Sequence, residues 1–169
     1  EKKITILNQT PSYFTQLAKY ATEDKRNTHL KTVIFGGEKL NFKHLALWTN
    51  KYPLSRIQLI NMYGITETTV HVTYYKLAQK DIDKKQSIIG KAIPSWGILI
   101  LDSKGNPLPK GVIGEICVFG KGISKGYLNK EDLNKEKFQY IDLPTGEKCQ
   151  IYKSGDLGVI SNNYQIEYV

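Results

Sequence analysis

Apolar positions in the first part of the chain alternate between short continuous runs and segments with helical spacing. Three runs predict buried strands: KITIL (3–7), TVIF (32–35) and RIQLI (56–60). Two segments between them predict amphipathic helices: TPSYFTQLAKYA (10–21) and NFKHLALWTNKY (41–52). The order βαβαβ predicts a parallel sheet with right-handed crossovers.

The two predicted helices carry their own start signals. Thr10 and Asn41 stand at their beginnings as expected N-caps, and Pro11 suits a first helical turn. Four apolar residues share one face of the first helix and are expected to face the core: Phe14, Leu17, Ala18 and Ala21.

After residue 68 the helical spacing fades and short strand-like runs replace it. They lie at 68–77, 87–93, 96–102, 114–120, 150–160 and 164–169. The turn-rich segment 102–111 predicts a hairpin connection, and 130–138 predicts a further helix. We therefore expect a mixed α/β fold, with a βαβαβ parallel-sheet lobe (1–78) followed by an antiparallel β-barrel-like lobe (79–169).

Composition and charge indicate which kinds of binding partner are expected for this chain. The 169 residues carry a net charge of +8, but Arg26 and Arg56 are the only arginines and the lysines are scattered. We interpret this as a solvated surface rather than a nucleic-acid interface. No apolar run reaches the roughly 20 residues of a membrane helix, so no membrane partner is expected. Cys117 and Cys149 lack metal or disulfide spacing, which favours reduced thiols in a cytoplasm.

Polar and glycine residues follow each of the three predicted parallel strands. Asn8 follows the first strand, Gly36-Gly37-Glu38 the second, and NMYGITE (61–67) the third. Ligands of open parallel sheets bind beyond the carboxyl ends of the strands. The sequence therefore predicts that these three stretches meet at one site.

The residue types after the third strand suit a magnesium nucleotide. The Asn61 amide can bond a heterocycle edge, and Tyr63 offers a ring face. Gly64 permits the turn that follows. The Thr66 hydroxyl can reach a phosphate oxygen, and Glu67 supplies a hard oxygen for Mg²⁺. A plain turn with solvated Thr and Glu fits the spacing equally well.

Other sequence signals of nucleotide binding or catalysis are absent or weak. The chain contains neither G-x-x-x-x-G-K-[ST] nor a G-x-G-x-x-G that opens a helix. The glycine-rich stretch FGKGISKGY (119–127) follows a predicted strand and fits a turn. The three histidines have no partners at triad spacing, although His71 alternates within a predicted strand and can point into a pocket.

Three long stretches occur in the order of core motifs of nonribosomal peptide synthetase adenylation domains. They are NMYGITETTV (61–70), VIGEICVFGKGISKGYLNKEDLNKEKF (112–138) and YKSGDLG (152–158). The chain resembles that family along essentially its whole length. It departs from the family motifs mildly, at Ile65, Phe119, Ser124, Lys125 and Ser154.

The resemblance implies that ATP and an amino acid react to an aminoacyl-adenylate, which is then loaded onto a carrier-protein thiol. It also implies roles for individual residues. Adenine contacts would come from Gly37, Glu38, Asn61 and Tyr63, and further nucleotide contacts from Gly64, Asp156 (both ribose hydroxyls) and Tyr168. Thr66 would contact the phosphate and Glu67 would bind Mg²⁺, which makes these two the expected catalytic residues.

The family's amino-acid pocket positions match six residues of this chain. They are Asn8, Ile34, Gly36, Met62, Val70 and His71. This set resembles the pocket of threonine-activating domains. An amide and an imidazole suit a hydroxyl, and Ile, Val and Met suit a methyl group. A small apolar pocket, with Asn8 and His71 satisfied by backbone, is the alternative.

By the same resemblance, the chain corresponds to the second half of a large N-terminal lobe. The phosphate loop, the aspartate for the substrate ammonium and the catalytic lysine would lie outside it. The chain also starts without methionine, so we expect an excised piece that is inactive alone. Alternatives are a non-catalytic binding module and a related adenylate-former, such as an acyl-CoA synthetase or a D-alanine–carrier protein ligase.

Overall fold

Three parallel strands open the fold, as the hydrophobic runs predicted. The computed structural model describes residues 3–24, 28–82, 87–143 and 146–169, so Arg26 lies outside the described residues. Strand β1 (Ile6–Gln9) pairs with β2 (Thr32–Phe35), and β2 pairs with β3 (Gln58–Asn61). The third strand begins later than predicted because the amides of Arg56 and Ile57 donate to the Pro53 carbonyl and form a turn.

Within the described ranges, seven further strands extend this sheet. They are β4 (Thr73–Lys76), β5 (Ser87–Ala92), β6 (Trp96–Leu101), β7 (Gly114–Gly120), β8 (Phe138–Asp142), β9 (Lys148–Ile160) and β10 (Ile166–Tyr168). All their pairings are antiparallel, in the order β1-β2-β3-β4-β5-β10-β9-β7-β6, with β8 paired to β9. The predicted fold class, parallel strands followed by an antiparallel lobe, is confirmed. Sequence patterns missed β8.

Four α-helices accompany the sheet within the described residues. They are α1 (Pro11–Glu23), α2 (Ala46–Lys51), α3 (Gln79–Ile82) and α4 (Glu131–Lys137). The second predicted helix is split, because a 3₁₀-helix (Phe42–Leu45) precedes α2. Asn41 caps this 3₁₀-helix as predicted, since its side chain accepts from the Lys43 amide at 3.1 Å. The short helix α3 was not predicted.

The prediction that the Thr10 side chain caps α1 is wrong. Thr10 occupies the N-cap position, but its side chain makes no capping hydrogen bond. The carboxylate of Glu38 takes that role, accepting from the Ser12 amide at 3.0 Å and from the Ser12 hydroxyl at 2.8 Å. A long-range contact therefore replaces the local one, and a negative charge at a helix N-terminus is favourable.

Two principal hydrophobic cores lie on the sheet. The first contains Phe14 and Ala18 of α1, Phe35 of β2 and Trp48 of α2, and the second joins Tyr63 to the strands of the antiparallel lobe. Leu17 was expected in the core but is 38% exposed, because it lies at the edge of the buried face of α1. No helix among the described residues is long and apolar enough to cross a membrane.

Phe14 is the aromatic centre of the first core. It is 1% exposed, and its ring lies 4.9 Å from the rings of both Phe35 and Trp48, edge-on. We expect Phe14→Ala to lower the free energy of unfolding by about 3–5 kcal/mol, because it leaves a cavity. Urea unfolding followed by circular dichroism measures this loss.

The neighbouring residue supplies a matched control. Tyr13, on the same helix, is 64% exposed. Tyr13→Ala should change the free energy of unfolding by no more than about 0.5 kcal/mol. Equal losses for the two variants would contradict the assignment of Phe14 to the core.

Candidate active site

The carboxyl ends of β2 and β3 bring glycine-containing segments together, as predicted. Gly36 and Gly37 follow β2, and the segment from Met62 to His71 follows β3. A Cβ on Gly64 would lie 1.9 Å from the Val70 carbonyl oxygen, so only glycine allows the chain to double back here. Two adjoining cavities form along these segments.

The first cavity, which we call the tyrosine cavity, has a volume of about 250 Å³. Seven of the predicted nucleotide contacts line it: Gly37, Glu38, Asn61, Tyr63, Gly64, Asp156 and Tyr168. Lys39, Ile65, Ser87 and Ile89 also line it and were not predicted. The antiparallel lobe contributes Ser87, Asp156 and Tyr168, so the cavity lies where the two kinds of sheet meet.

Asp156 is held by two tyrosines. The Tyr63 hydroxyl donates to Oδ2 at 2.7 Å and the Tyr168 hydroxyl donates to Oδ1 at 2.8 Å. The Asp156 amide donates to the Ser154 hydroxyl at 3.0 Å, which itself donates to the Ile116 carbonyl at 2.6 Å. A carboxylate has about four acceptor positions, so both oxygens keep capacity for a pair of ligand hydroxyls.

The tyrosines of this cavity stay protonated at neutral pH. Burial raises the pKa of Tyr63 far above its ordinary value, and the neighbouring Asp156 carboxylate raises it further. Burial and the same carboxylate also raise the pKa of Tyr168. Both phenols are therefore fixed donors, which orients the carboxylate between them.

Two further polar side chains line the tyrosine cavity from neighbouring strands. Asn61 is 2% exposed, and its amide nitrogen donates to the Ile88 carbonyl at 2.8 Å. This hydrogen bond fixes the amide plane at the cavity wall. The hydroxyl of Ser87 is buried and has no partner among the described residues. No sequence motif marked Ser87, because a lone serine in a strand carries no signal.

The second cavity, which we call the histidine groove, is more open and has a volume of about 490 Å³. It is lined by Asn8, Gly36, Gly37, Gly64, Ile65, Thr66, Glu67, Val70 and His71. Four of the six predicted amino-acid pocket residues are therefore brought together here. Gly37, Gly64 and Ile65 line both cavities, which are therefore adjacent.

The other two predicted pocket residues lie elsewhere. Ile34 is half-buried in the middle of β2, in register between Asn8 and Ile60, and does not line the groove. Met62 lines the tyrosine cavity instead.

His71 is the histidine in the wall of the groove. Both ring nitrogens are buried and have no hydrogen-bond partner among the described residues. A Cβ on Gly36 would lie 2.6 Å from its Cε1 atom, so a glycine there leaves space for the ring. Burial lowers the pKa of His71, which favours the neutral imidazole. A neutral imidazole both donates and accepts, as a hydroxyl partner requires.

Thr66 and Glu67 stand on a short 3₁₀-helix (Thr66–Thr68) at the rim of the groove. Thr66 is exposed, and the Glu67 carboxylate accepts a hydrogen bond from the Tyr127 hydroxyl. The described residues contain no group of three or more potential metal ligands. A single carboxylate nevertheless fits Mg²⁺, which takes one or two protein carboxylates and fills its other positions with phosphate oxygens and water.

A family model, curated proteins and solved structures are similar to this chain. A family model described as "AMP-binding enzyme" matches residues 1–128. A dimodular nonribosomal peptide synthase of Bacillus subtilis (strain 168) is 42% identical over 171 residues, covering 98% of this chain and 7% of that protein. Syringomycin synthase SyrB1 of Pseudomonas syringae pv. syringae is 35% identical over 169 residues, covering 99% of this chain and 27% of that protein.

A solved structure has a closely similar fold. It is holo-PA1221, a nonribosomal peptide synthetase protein that contains adenylation and PCP domains bound to a vinylsulfonamide inhibitor. Its TM-score is 0.87 at 25% identity, and the match covers 97% of this chain and 28% of that one. The chain thus spans less than a third of the length of these relatives. The match over residues 1–128 shows that the chain belongs to the AMP-binding enzyme family.

Proposed function

We propose that this chain is part of an amino-acid adenylation domain of a nonribosomal peptide synthetase. The domain uses ATP and Mg²⁺ to activate an amino acid, threonine, as its aminoacyl-adenylate. The acyl group then passes to the phosphopantetheine thiol of a carrier protein. Adenylation and PCP domains occur together in the similar holo-PA1221 structure, which supports a carrier-protein partner. The activity belongs to the whole synthetase, and we place it in the cytoplasm.

The observation that carries the proposal is that the two cavities share part of their walls. The tyrosine cavity contains the predicted adenosine contacts, and the histidine groove contains four predicted amino-acid contacts. Gly37, Gly64 and Ile65 line both. A nucleotide in one and an amino acid in the other would meet at these residues, with Thr66 and Glu67 beside them.

The tyrosine cavity has the chemistry for a nucleoside. The backbone at Gly37 and Glu38 and the Asn61 amide would hold the adenine edge, with the Tyr63 ring along its face. The Asp156 carboxylate would accept hydrogen bonds from both ribose hydroxyls, at the acceptor positions that Tyr63 and Tyr168 leave available.

The reaction is a displacement at the α-phosphorus. A carboxylate oxygen of the amino acid forms a bond to this phosphorus, and the bond to the leaving pyrophosphate breaks with its electron pair. No proton changes place in this step, so the chain contributes by positioning and charge stabilisation. Thr66 donates to a phosphate oxygen. Mg²⁺ at Glu67 would neutralise phosphate charge when it is bound.

Support for threonine is strongest at His71. Its neutral imidazole has no hydrogen-bond partner among the described residues and would be satisfied by a substrate hydroxyl, and the absence of a side chain at Gly36 leaves room for the ring. Asn8, which also lines the groove, offers an amide. Val70 is the apolar contact for the methyl group, since Ile34 and Met62 do not line the groove.

We further propose that the chain divides at residues 78 and 79. The first part is the second half of the nucleotide- and amino-acid-binding subdomain, and the second part is the β-barrel subdomain. Packing crosses this boundary in both directions, because Ile82 and Ile88 join the first core while Tyr63 and Val72 join the second. The phosphate loop and the C-terminal lobe with its lysine would be supplied by other parts of the synthetase.

The amino-acid preference tests the proposed function. In the full-length synthetase that carries this chain, amino-acid-dependent exchange of pyrophosphate into ATP should be fastest with threonine, slower with serine and slowest with valine. A missing methyl costs only about 10- to 200-fold, whereas a site that bonds a hydroxyl rejects the analogue lacking it by roughly 10⁴-fold. Valine exchange equal to threonine exchange would refute threonine, and no exchange with any amino acid would refute adenylation.

Replacement of the imidazole isolates the hydroxyl contact. His71→Ala should reduce the threonine-to-valine ratio of kcat/KM by about 10²-fold or more, because the hydroxyl then loses its buried partner. His29→Ala, at an exposed histidine outside the groove, is the matched control and should leave the ratio unchanged. An unchanged ratio in His71→Ala would place the specificity elsewhere.

Charge removal at Glu67 tests the magnesium role. Glu67→Gln should lower kcat by about 10²-fold or more, because charge stabilisation in the transition state is lost. Glu147→Gln, at an exposed glutamate outside both cavities, should retain wild-type kcat. Thermal melts on the same preparations separate catalysis from folding, and near-normal turnover in Glu67→Gln would contradict the role.

A further inference from the structure

Tyr127 connects the antiparallel lobe to the rim of the histidine groove. Its hydroxyl donates a hydrogen bond to Oε1 of Glu67, 60 positions earlier in the chain. A carboxylate only accepts, so the phenol proton must point at Glu67. The Tyr127 and Tyr152 hydroxyls lie 2.9 Å apart, and with the Tyr127 proton committed, Tyr152 must be the donor. The donors therefore run in one direction, from Tyr152 to Tyr127 to Glu67.

Tyr127 is held in place both at its backbone and at its ring. Its amide donates to Oδ1 of Asn134 at 2.7 Å, and Nδ2 of Asn134 donates back to the Tyr127 carbonyl at 2.9 Å. The phenol ring packs edge-on against Phe138, with the centroids 5.7 Å apart. Helix α4 and strand β8 thus hold the tyrosine before any ligand binds.

The glycine-rich loop before Tyr127 also holds the backbone around Glu67. The Ser124 amide donates to the Glu67 carbonyl at 2.8 Å, and the Thr69 hydroxyl donates to the Gly122 carbonyl at 2.7 Å. Thr69 and Val70 have φ angles of 54° and 69°, in the left-handed region that β-branched residues avoid. Such backbone persists only when its surroundings impose it, and these contacts are part of that constraint.

From this geometry we propose that Tyr127 is a positioning residue that orients the Glu67 carboxylate toward the metal–phosphate position, an inference that rests on the proposed function. The Tyr127 hydroxyl fixes the position of one oxygen of the Glu67 carboxylate. The lone pairs of this carboxylate that remain free therefore point in one direction. Hydrogen-bond partners of metal ligands typically contribute 10- to 100-fold to metal affinity or activity, about the effect expected here. The stretch 119–127, interpreted from the sequence as a turn, thereby acquires a function.

Tyr127→Phe in the full-length synthetase tests the inference, because it removes only the hydroxyl and keeps the ring on Phe138. Mn²⁺ serves as the spectroscopic probe, titrated by electron paramagnetic resonance in the presence of α,β-methylene-ATP. We expect a loss of Mn²⁺ affinity of about tenfold or more. Exchange assays should show a comparable fall in kcat with little change in the threonine KM, since Tyr127 itself does not line the histidine groove and His71, Asn8 and Val70 keep their places.

Two further variants make the outcome decisive. Tyr140→Phe is the matched control at a 68% exposed tyrosine and should keep wild-type Mn²⁺ affinity. Tyr152→Phe should lower the affinity less than Tyr127→Phe, because it acts through Tyr127. Wild-type Mn²⁺ affinity in Tyr127→Phe would overturn the positioning role while leaving the proposed function intact. A wild-type synthetase without amino-acid-dependent exchange would overturn the proposed function and this inference with it.

Discussion

The candidate site depends on one carboxylate that two distant tyrosines share. Tyr63 follows the last parallel strand and Tyr168 lies in the last antiparallel strand, and their hydroxyls take one oxygen each of Asp156. Tyr63 and Asp156 are 93 positions apart. The tyrosine cavity therefore exists only when β9 and β10 are folded against the end of the parallel sheet. Burial of the phenols strengthens this arrangement, because it keeps them protonated.

A continuous sheet makes that meeting possible. Strand β4 pairs antiparallel with β3 and also with β5, and β5 pairs with β10, so the sheet is continuous across the two lobes. The direction of the strands changes at β4, so the polar ends of β2 and β3 open toward residues from the antiparallel lobe. The tyrosine cavity and the histidine groove both include the turn at Gly64 in their walls.

The residues to which we assign specificity and catalysis are held by different parts of this arrangement. His71 is held by the chain that doubles back after β3, next to a glycine that leaves it space. Glu67 is held by Tyr127 of the antiparallel lobe and by the loop before Tyr127. Under the proposed function, the groove could therefore vary its amino-acid contacts while the antiparallel lobe keeps the Glu67 carboxylate in place.

Local patterns were sufficient for much of the fold. Buried β-branched runs and amphipathic spacing placed β2 at Thr32–Phe35 and β7 at Gly114–Gly120 without error. The convergence of Gly36 and the Asn61 stretch also followed from the sequence, because parallel strands share one carboxyl edge. The resemblance to the family motifs predicted Asp156 and Tyr168 as nucleotide contacts. Spacing along the sequence would not have placed either residue near Tyr63.

The sequence by itself determined the fold class, most of the order of elements and the edge of the sheet at which the candidate site lies. These follow from hydrophobic burial and backbone geometry, which act over a few residues. Only the tertiary structure decided that Glu38 caps α1, that Met62 lines the tyrosine cavity and that Tyr127 reaches Glu67. Each brings together residues that are far apart in the chain, and its geometry exists only once the sheets have packed.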